Sequence, residues 1–362
     1  MSERTPRPRS IVVLGAGAIG GLTGAALTRA GVDVTLIDPW TAHVGEIRRN
    51  GLHVTTPDED YVVRVRIGHI DELPRAAPID ALALALKSYD TEWAVRYALP
   101  HMAPDGIVLS LQNGINEDRI ATLAGAGRAI GCVVHLGGAC MTPGRITSIC
   151  GKGWPAFTLG ELDGRPSERI GALAELLGAV GPTATTTDIW SALWSKLMLN
   201  VMSNALSGLS GYTTNRLWSD PACVLPMVRL GGETALVADA IGRRIADVKP
   251  TGATSTLRAE AIKAAHLGDA SALAAVGDFL GAVAARRVGK SENQASLLQD
   301  IVKGRRAEVD YLNGHVVALG RRHGVPTPWN AAVVDAVNAL ELAGTGPGPA
   351  HLEALLARPP AA

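Results

Sequence analysis

Little in this 362-residue chain points to chemistry held by sulfur. Its four cysteines, Cys132, Cys140, Cys150 and Cys223, show no C-x-x-C spacing and no dense framework. That argues against a thiolate metal site or a disulfide scaffold and suits reduced, buried thiols in a cytoplasm. An excess of charge of one sign is also absent: 34 basic residues balance 34 acidic ones. No overall field therefore draws the chain to nucleic acid or an anionic membrane, and a small molecule is the expected partner. No apolar run approaches the length of a membrane span, and no fixed-period repeat is present. The opening MSERTPRPRS lacks the apolar core of a signal peptide, so 1–10 reads as a flexible leader. At the other end, GTGPGP and RPPAA bracket a short helical segment over 351–357, and the tail 343–362 is expected to be mobile. This length suits two domains and a substantial core.

The most informative stretch is 11–38, IVVLGAGAIGGLTGAALTRAGVDVTLID. An apolar strand leads through a Gly-rich turn into a small-residue helix, and a second β-branched run stops at Asp38: a β-α-β unit. Gly15, Gly17 and Gly20 fit G-x-G-x-x-G. The first allows the tight turn, the second removes a Cβ that would block a pyrophosphate, and the third lets helix and strand pack closely. The helix start at Ala18 and Ile19 then offers N–H groups and the positive end of the helix dipole to phosphates. A lone G-x-G-x-x-G is weak, but strand, helix and terminal acid together make the context specific, against the bland alternative of a nucleotide-free core. Asp38 can accept hydrogen bonds from ribose hydroxyls and would repel a 2′-phosphate, which favours NAD. Arg48 and Arg49 keep NADP open if their helix returns to the site.

Further along, 41–50 reads as a helix ended by Gly51, with strands at 52–55 and 61–67. The run DALALALK over 80–87 suits a parallel strand buried on both faces, and 107–111 repeats the pattern before Gln112-Asn113-Gly114. Lys87 and Asn113 thus fall at strand ends on the edge that carries the Gly-rich turn, although each taken alone would read as a solvated or turn residue. Strands follow over 128–136, 145–150 and 157–162, then a helix over 166–180. His135 reads as a hydrogen-bonded core histidine. GPTATTTD has the composition of a connection, so the boundary falls there: 1–187 is a Rossmann-type α/β domain and 188–362 an all-α domain. Helical spacing then dominates through 209 and over 224–241, 253–267, 270–288, 292–320 and 331–342.

In the helix IWSALWSKLMLNVMSNALSGL, Lys196, Asn200 and Asn204 recur every fourth residue and share one face. The other positions are largely apolar, so this polar stripe either faces a ligand or fixes domain packing by a buried network. Lysine is rarely buried without reason, which favours catalysis. A second polar set surrounds Gly304: Ser296, Gln299 and Asp300 before it, Glu308, Asp310 and Asn313 after it. The residues alone leave Glu308 a solvated charge among several.

The succession GAGAIG, ALKSYDT, LQNGIN, KLMLNVMSNALSGL and SLLQDIVKGRRAEVDYLNG resembles the ketopantoate reductase (2-dehydropantoate 2-reductase) family from residue 11 to about 328, the last two motifs being the most specific. The resemblance implies a Rossmann domain, a helical C-terminal domain and an active site in the cleft between them. It implies that Lys196 is the catalytic lysine and Glu308 the glutamate of E-x-D-Y-x-N-G. It further implies that Asn200 and Asn204 are the lysine helix's asparagines and Ser296 the substrate-binding serine. Asn113 falls on the N-G asparagine, on the cofactor and substrate side, and Lys87 on the lysine ending the fourth strand. Two features depart from the pattern: Asp38 stands where NADP-using members carry a basic residue nearby, and the region between Lys196 and Ser296 is longer by about a helix pair.

The expectation is a nicotinamide-dependent oxidoreductase, placed in pantothenate biosynthesis by the resemblance, that transfers hydride to the carbonyl of a 2-oxo acid with Lys196 as proton donor. A homodimer is compatible with it; no metal is called for. The rivals are an NAD-dependent dehydrogenase of another branched or cyclic hydroxy compound and, in a different class, a non-catalytic NAD(H)-binding redox sensor. The polar stripe on the lysine helix disfavours the sensor, which needs no proton donor.

Overall fold

The computed structural model describes residues 8–248, 256–286 and 294–357. Parts of the expected leader, of three expected helical stretches and of the tail lie outside these residues, at 1–7, 253–255, 287–288, 292–293 and 358–362. The chain divides into two compact units between Ile189 and Trp190.

The first unit begins with β1 (Ile11–Leu14), α1 (Ala18–Arg29), β2 (Val34–Asp38), α2 (Thr41–Asn50), β3 (Leu52–Thr55), β4 (Asp60–Val63) and β5 (Arg66–His69). It continues with β6 (Ile79–Leu84), α3 (Thr91–Ala98), β7 (Met102–Ser110), α4 (Glu117–Ala124), β8 (Ala129–Val134), β9 (Gly138–Thr142) and β10 (Arg145–Ser148). It closes with β11 (Phe157–Glu161), α5 (Glu168–Leu177) and β12 (Thr183–Thr185). Eight strands form one sheet in the order β12-β11-β8-β7-β6-β1-β2-β5. Its neighbours run parallel except β11 against β8. The strand order reverses between β1 and β6, the switch point at which such sheets bind ligands.

Both faces of this sheet are buried, and β1 shows why its sequence is unbroken apolar rather than alternating. Ile11 and Val13 join one hydrophobic cluster and Val12 and Leu14 the other, as a strand covered on two sides requires. A second sheet, β4-β3-β10-β9, adds Leu52, Val54, Cys140 and Ile146 to the first cluster. It lies against α1, where a Cβ on Gly21 would meet Ile146 Cδ1 at 2.1 Å.

Three expectations need correction here. The segment GPTATTTD contains β12, which pairs with β11, because the main chain of its threonines extends the sheet edge. β9 lies between two expected strands and had no long apolar run to announce it. His135 is exposed, not in the core; it meets Thr158 Oγ1 at 2.9 Å. Part of the leader is held too: the Arg9 and Ser10 N–H groups donate to Asp80 Oδ2 at 3.0 and 3.1 Å. All four cysteines are buried thiols.

The second unit is helical: α6 (Ile189–Ser210), which starts one residue inside the first unit, α7 (Thr214–Ser219), α8 (Pro221–Ala240), α9 (Ala259–His266) and α10 (Ala270–Ala285). Then come α11 (Ser296–Val302), α12 (Asn313–His323), α13 (Pro328–Ala343) and α14 (Pro349–Ala357). α6 runs through the middle of the core, its Met202 against Gly231 of α8 and its Gly208 against Leu297 of α11. The segment expected to be a mobile tail is docked as far as it is described. Leu352 and Leu355 of α14 are buried in the helical core, and the Gly348 N–H donates to the Leu209 carbonyl at 2.8 Å. Among the described residues no helix is long and apolar enough to cross a membrane.

Candidate active site

The carboxyl ends of β1, β6 and β7 lie side by side, with Leu14 opposite Leu84 and Leu84 opposite Ser110. This register brings the Gly-rich turn, Lys87 and Asn113 to one edge of one sheet. A cavity of about 610 Å³ lies at the other end of the strands, around Ser10, Arg66 and Asp80. By the rule that ligands occupy carboxyl ends, it is not the dinucleotide site.

The three glycines of the turn are required for different reasons. Gly15 has φ +102°, and a Cβ there would sit 2.7 Å from the Ala85 carbonyl; a Cβ on Gly20 would sit 1.8 Å from the Gly15 oxygen. Both are demanded by the protein itself. A Cβ on Gly17 would meet nothing within 4 Å, so the space beside it is open to a ligand. Gly17 is also the N-cap of α1 with no capping side chain, so the first-turn N–H groups of Ala18 and Ile19, which a helix cannot satisfy internally, suit an anion. The residues fit a dinucleotide pyrophosphate.

Asp38, at the end of β2, is buried. Its Oδ2 accepts from the Ala16 N–H at 2.6 Å and its Oδ1 from the Trp40 N–H at 2.8 Å. The two arginines that kept NADP open are occupied elsewhere. Arg48 donates to the Ile67 carbonyl at 3.3 Å and pairs with Glu72, and Arg49 pairs with Glu46 at 3.0 Å.

Asn113 sits over a buried polar network that the motif reading did not resolve. Its carbonyl accepts from Ser88 Oγ at 2.8 Å and from Asn116 Nδ2 at 3.0 Å. Gln112 Nε2 reaches Thr91 Oγ1 at 2.9 Å and the Leu86 carbonyl at 3.1 Å. The turn after β7 is thereby tied to the turn after β6 that carries Lys87. Beneath it Glu117 is fully buried, and burial pushes its carboxyl up to about 7 against the pull of backbone N–H groups at Glu117, Asn116 and Cys132.

In the helical unit, every residue from Ser191 to Ser210 is buried except Ala192, Lys196, Leu199 and Asn200. These four fall on one stripe of α6, so Lys196 and Asn200 stand where the helix is least covered, while Asn204 is buried further along. Ser296 opens α11, which packs on α6 at Gly208. Glu308 is buried and precedes a single 3-10 turn, Val309–Tyr311. The motif's Asn313 is structural: its Nδ2 donates to the Val201 carbonyl of α6 at 3.4 Å and to Asn330 Oδ1 at 2.9 Å. Asn330 Nδ2 in turn reaches Glu233 Oε2 at 2.8 Å. Burial raises the pKa of Glu233, opposed by the Asn330 and Trp329 N–H groups that it caps. Glu233 was missed because nothing in its helix sets it apart from a surface acid.

A family model described as ketopantoate reductase PanE/ApbA matches residues 11–164, and its C-terminal counterpart matches 188–341. The chain is 30% identical over 352 residues to a 2-dehydropantoate 2-reductase of Mesorhizobium japonicum, spanning 91% of this chain and 96% of that one. A PanE/ApbA family ketopantoate reductase from Ralstonia eutropha JMP134 superposes with a TM-score of 0.73 at 27% identity, covering 92% of this chain and 99% of the other. D-mandelate dehydrogenase, solved with NADH and anilino(oxo)acetate, superposes with a TM-score of 0.75 at 22% identity over 92% and 99%; that likeness concerns the fold alone.

Two predictions follow from this geometry. Gly17→Val should fold with the parent's melting temperature yet lose NADH binding by fluorescence titration, whereas Gly20→Ala should lower Tm through backbone overlap, at a cost of about 1–3 kcal/mol. Unchanged NADH affinity in Gly17→Val would mean that the turn is not the phosphate site. For Glu117, the folded-state pKa of about 7 exceeds the ordinary 4.5, so its contribution is complete below the unfolded value and is lost as pH rises towards and past 7. Glu117→Gln should therefore gain stability over the parent between about pH 5 and about pH 8, on the order of 1–3 kcal/mol. A parent-to-variant gap in Tm that does not widen over that range would contradict the shift.

Proposed function

The chain belongs to the ketopantoate reductase family, and on that premise we propose that it transfers hydride between NAD(H) and the carbonyl carbon of a 2-oxo acid such as 2-dehydropantoate, with Lys196 as the proton donor. The observation that carries this reading is the position of Lys196 on the one half-buried stripe of an otherwise buried helix. A cation on a core helix is costly unless its head is paired or reaches solvent or a ligand, so its place on this stripe is chosen and not incidental.

The reduced nicotinamide, when bound, supplies the hydride that becomes the new C–H bond. As the carbonyl oxygen gains negative charge, the Lys196 ammonium gives it a proton and is left as a neutral amine, recharged from solvent. In the oxidative direction the neutral amine takes the hydroxyl proton. Such a positioned acid contributes roughly 10²–10⁴-fold. Asn204 and Ser296 supply hydrogen bonds to the substrate's carboxylate or hydroxyl, with Asn200 beside the lysine. Glu308 orients the lysine, and Lys87 and Asn113 serve the cofactor side from the sheet edge. Gly15, Gly17, Ala18, Ile19 and Gly20 cradle the pyrophosphate.

The preference for NAD is supported by Asp38 at the end of β2 and by the commitments of Arg48 and Arg49 to Glu72 and Glu46. A carboxylate at that strand end repels a 2′-phosphate.

A panel of 2-oxo acids assayed with both reduced nicotinamides tests the activity as a whole; turnover only of other branched or cyclic substrates would leave the family and change the substrate. Lys196→Ala should lower kcat by ~10²–10⁴-fold with NADH affinity unchanged, since the lost interaction forms in the transition state. Lys196→Arg should rescue poorly because guanidinium holds its proton. Near-parent turnover by Lys196→Ala would remove the lysine from the chemistry. Fluorescence titration should show tighter binding of NADH than of NADPH, with Asp38→Ala narrowing the ratio; tighter NADPH binding by the parent would reverse the cofactor assignment.

A further inference from the structure

His43 lies on α2, completely buried. Its ring is stacked on Trp40, centroids 5.2 Å apart and planes 11° from parallel. The Gly144 N–H, in the turn between β9 and β10, donates to His43 Nδ1 at 2.9 Å, and the Cys140 sulfur stands 3.9 Å from the same nitrogen. A ring nitrogen that accepts a backbone N–H carries no proton, so the neutral ring holds its proton on Nε2. Nε2 faces the Ala16 carbonyl oxygen at 2.9 Å and donates to it. The other side of the same residue is held as well, its N–H donating to Asp38 Oδ2 at 2.6 Å.

These two bonds restrain two different peptide planes. The Ala16 N–H belongs to the plane shared with Gly15, and the Ala16 C=O to the plane shared with Gly17. In a trans peptide the N–H points opposite to the C=O. Drawing the Ala16 carbonyl inward to His43 therefore turns the Gly17 N–H outward, to the side where a Cβ on Gly17 would meet nothing. Glycines on both sides of Ala16 leave this segment with more backbone freedom than any other residue type would. Without an external restraint, the plane could rotate.

We propose that His43 is a positioning residue for dinucleotide binding: through Ala16 it fixes the direction of the Gly17 N–H, and the turn of the smaller sheet fixes His43. The chain of restraint runs from Gly144 to His43 to Ala16 to Gly17. Its outer end is anchored in turn, because the Gly144 carbonyl accepts from the His53 N–H of β3 at 2.9 Å. The four-stranded sheet thus buttresses the cofactor turn as well as covering α1. This rests on the Gly-rich turn being the dinucleotide site, which Gly17→Val tests separately.

The experiment compares His43→Gln with His43→Asn, with NADH as the probe. Glutamine places an amide N–H at about the reach of Nε2 and can still hold the Ala16 carbonyl. Asparagine places its carbonyl near Nδ1, can still accept from Gly144, and stops short of Ala16. Both lose the stacked ring and should lose comparable Tm. NADH Kd, and KM for NADH with it, should rise roughly fivefold to tenfold in His43→Asn, the scale of one lost hydrogen bond. It should stay near the parent's in His43→Gln, with kcat at saturating NADH unchanged in both. Equal weakening in the two variants, or parent affinity in His43→Asn, overturns the proposal. Should either variant fail to fold, nitrogen-15 NMR of the parent reads the His43 tautomer directly: a slowly exchanging Nε2–H supports the restraint, and an Nδ1–H overturns it. Parent-like NADH affinity in Gly17→Val would remove the premise that the turn holds the dinucleotide, and the proposal with it, whereas equal weakening in the two His43 variants beside a Gly17→Val loss overturns the His43 restraint alone.

Discussion

The first unit depends on how closely α1 approaches the end of β1. With only hydrogen at position 20, the helix comes so near that any Cβ would stand 1.8 Å from the Gly15 oxygen and 2.8 Å from Ala85 Cβ. That approach sets the start of the helix directly above the switch point between β1 and β6, so its first-turn N–H groups open where the strands diverge. The same closeness continues one residue on, at Gly21, where Ile146 of the smaller sheet fills the space a side chain would need. Main sheet, α1 and small sheet are therefore stacked through successive glycines. A turn that must present unpaired donors is rigid because it is held by its neighbours and not by its own side chains.

The helical unit solves a different problem, which is to keep a cationic residue on a core helix. α6 is covered everywhere between Ser191 and Ser210 except along one stripe, and it is gripped from the side by polar bonds as well as apolar contacts. Asn313, Asn330 and Glu233 form a buried relay that ends on the Val201 carbonyl. Each side-chain amide nitrogen in it donates to a fixed acceptor, which ties α6, α8, α12 and α13 in one arrangement. The Trp194 and His315 rings, 6.1 Å apart, bring the start of α12 against the same helix. The segment that follows Glu308 is thus bound to the helix that carries Lys196 by elements of its own motif.

How much of this was legible follows from how local each cause is. The β-α-β unit is readable because each glycine answers to atoms within a few residues or to the ligand, and β6 and β7 because burial on two faces leaves an unbroken apolar run. The all-helical character of the second unit follows in the same way from spacing. β9, β12 and α7 escaped because they are short: β9 and β12 are three- to five-residue edge strands without an apolar run, and α7 is a six-residue helix. His43 escaped for a sharper reason: on a helix beside Trp40 it carries no signal, and its meaning lies in Gly144, a hundred-odd residues away in sequence. The arginines at 48 and 49 were ambiguous in sequence because residue order does not show which way α2 runs; Arg48 in fact lines the cavity at the amino ends of the strands. Glu72, folded back from the turn after β5, and Glu46, on the same helix, are what engage them. The docking of α14 likewise required knowing that Leu209 and its neighbours leave room for Leu352 and Leu355.

Asp38 joins these observations, since the carboxylate that the proposed reading sets against the nucleotide also holds the Gly-rich turn through Ala16. Discrimination by repulsion works only if the repelling group stays in place when the wrong ligand arrives, because a side chain free to rotate would swing aside and lower the penalty. Each Asp38 oxygen is held by a backbone N–H, one from Ala16 and one from Trp40, so rotation would break two hydrogen bonds in a buried setting. Each oxygen retains a further lone pair, so the restraint leaves acceptors for ribose hydroxyls. Ala16 is held on its other side by His43, so a displacement of the acid would be felt in the Gly-rich turn. Asp38, Ala16 and His43 thus form one small set of backbone restraints joining the end of β2, the Gly-rich turn and α2.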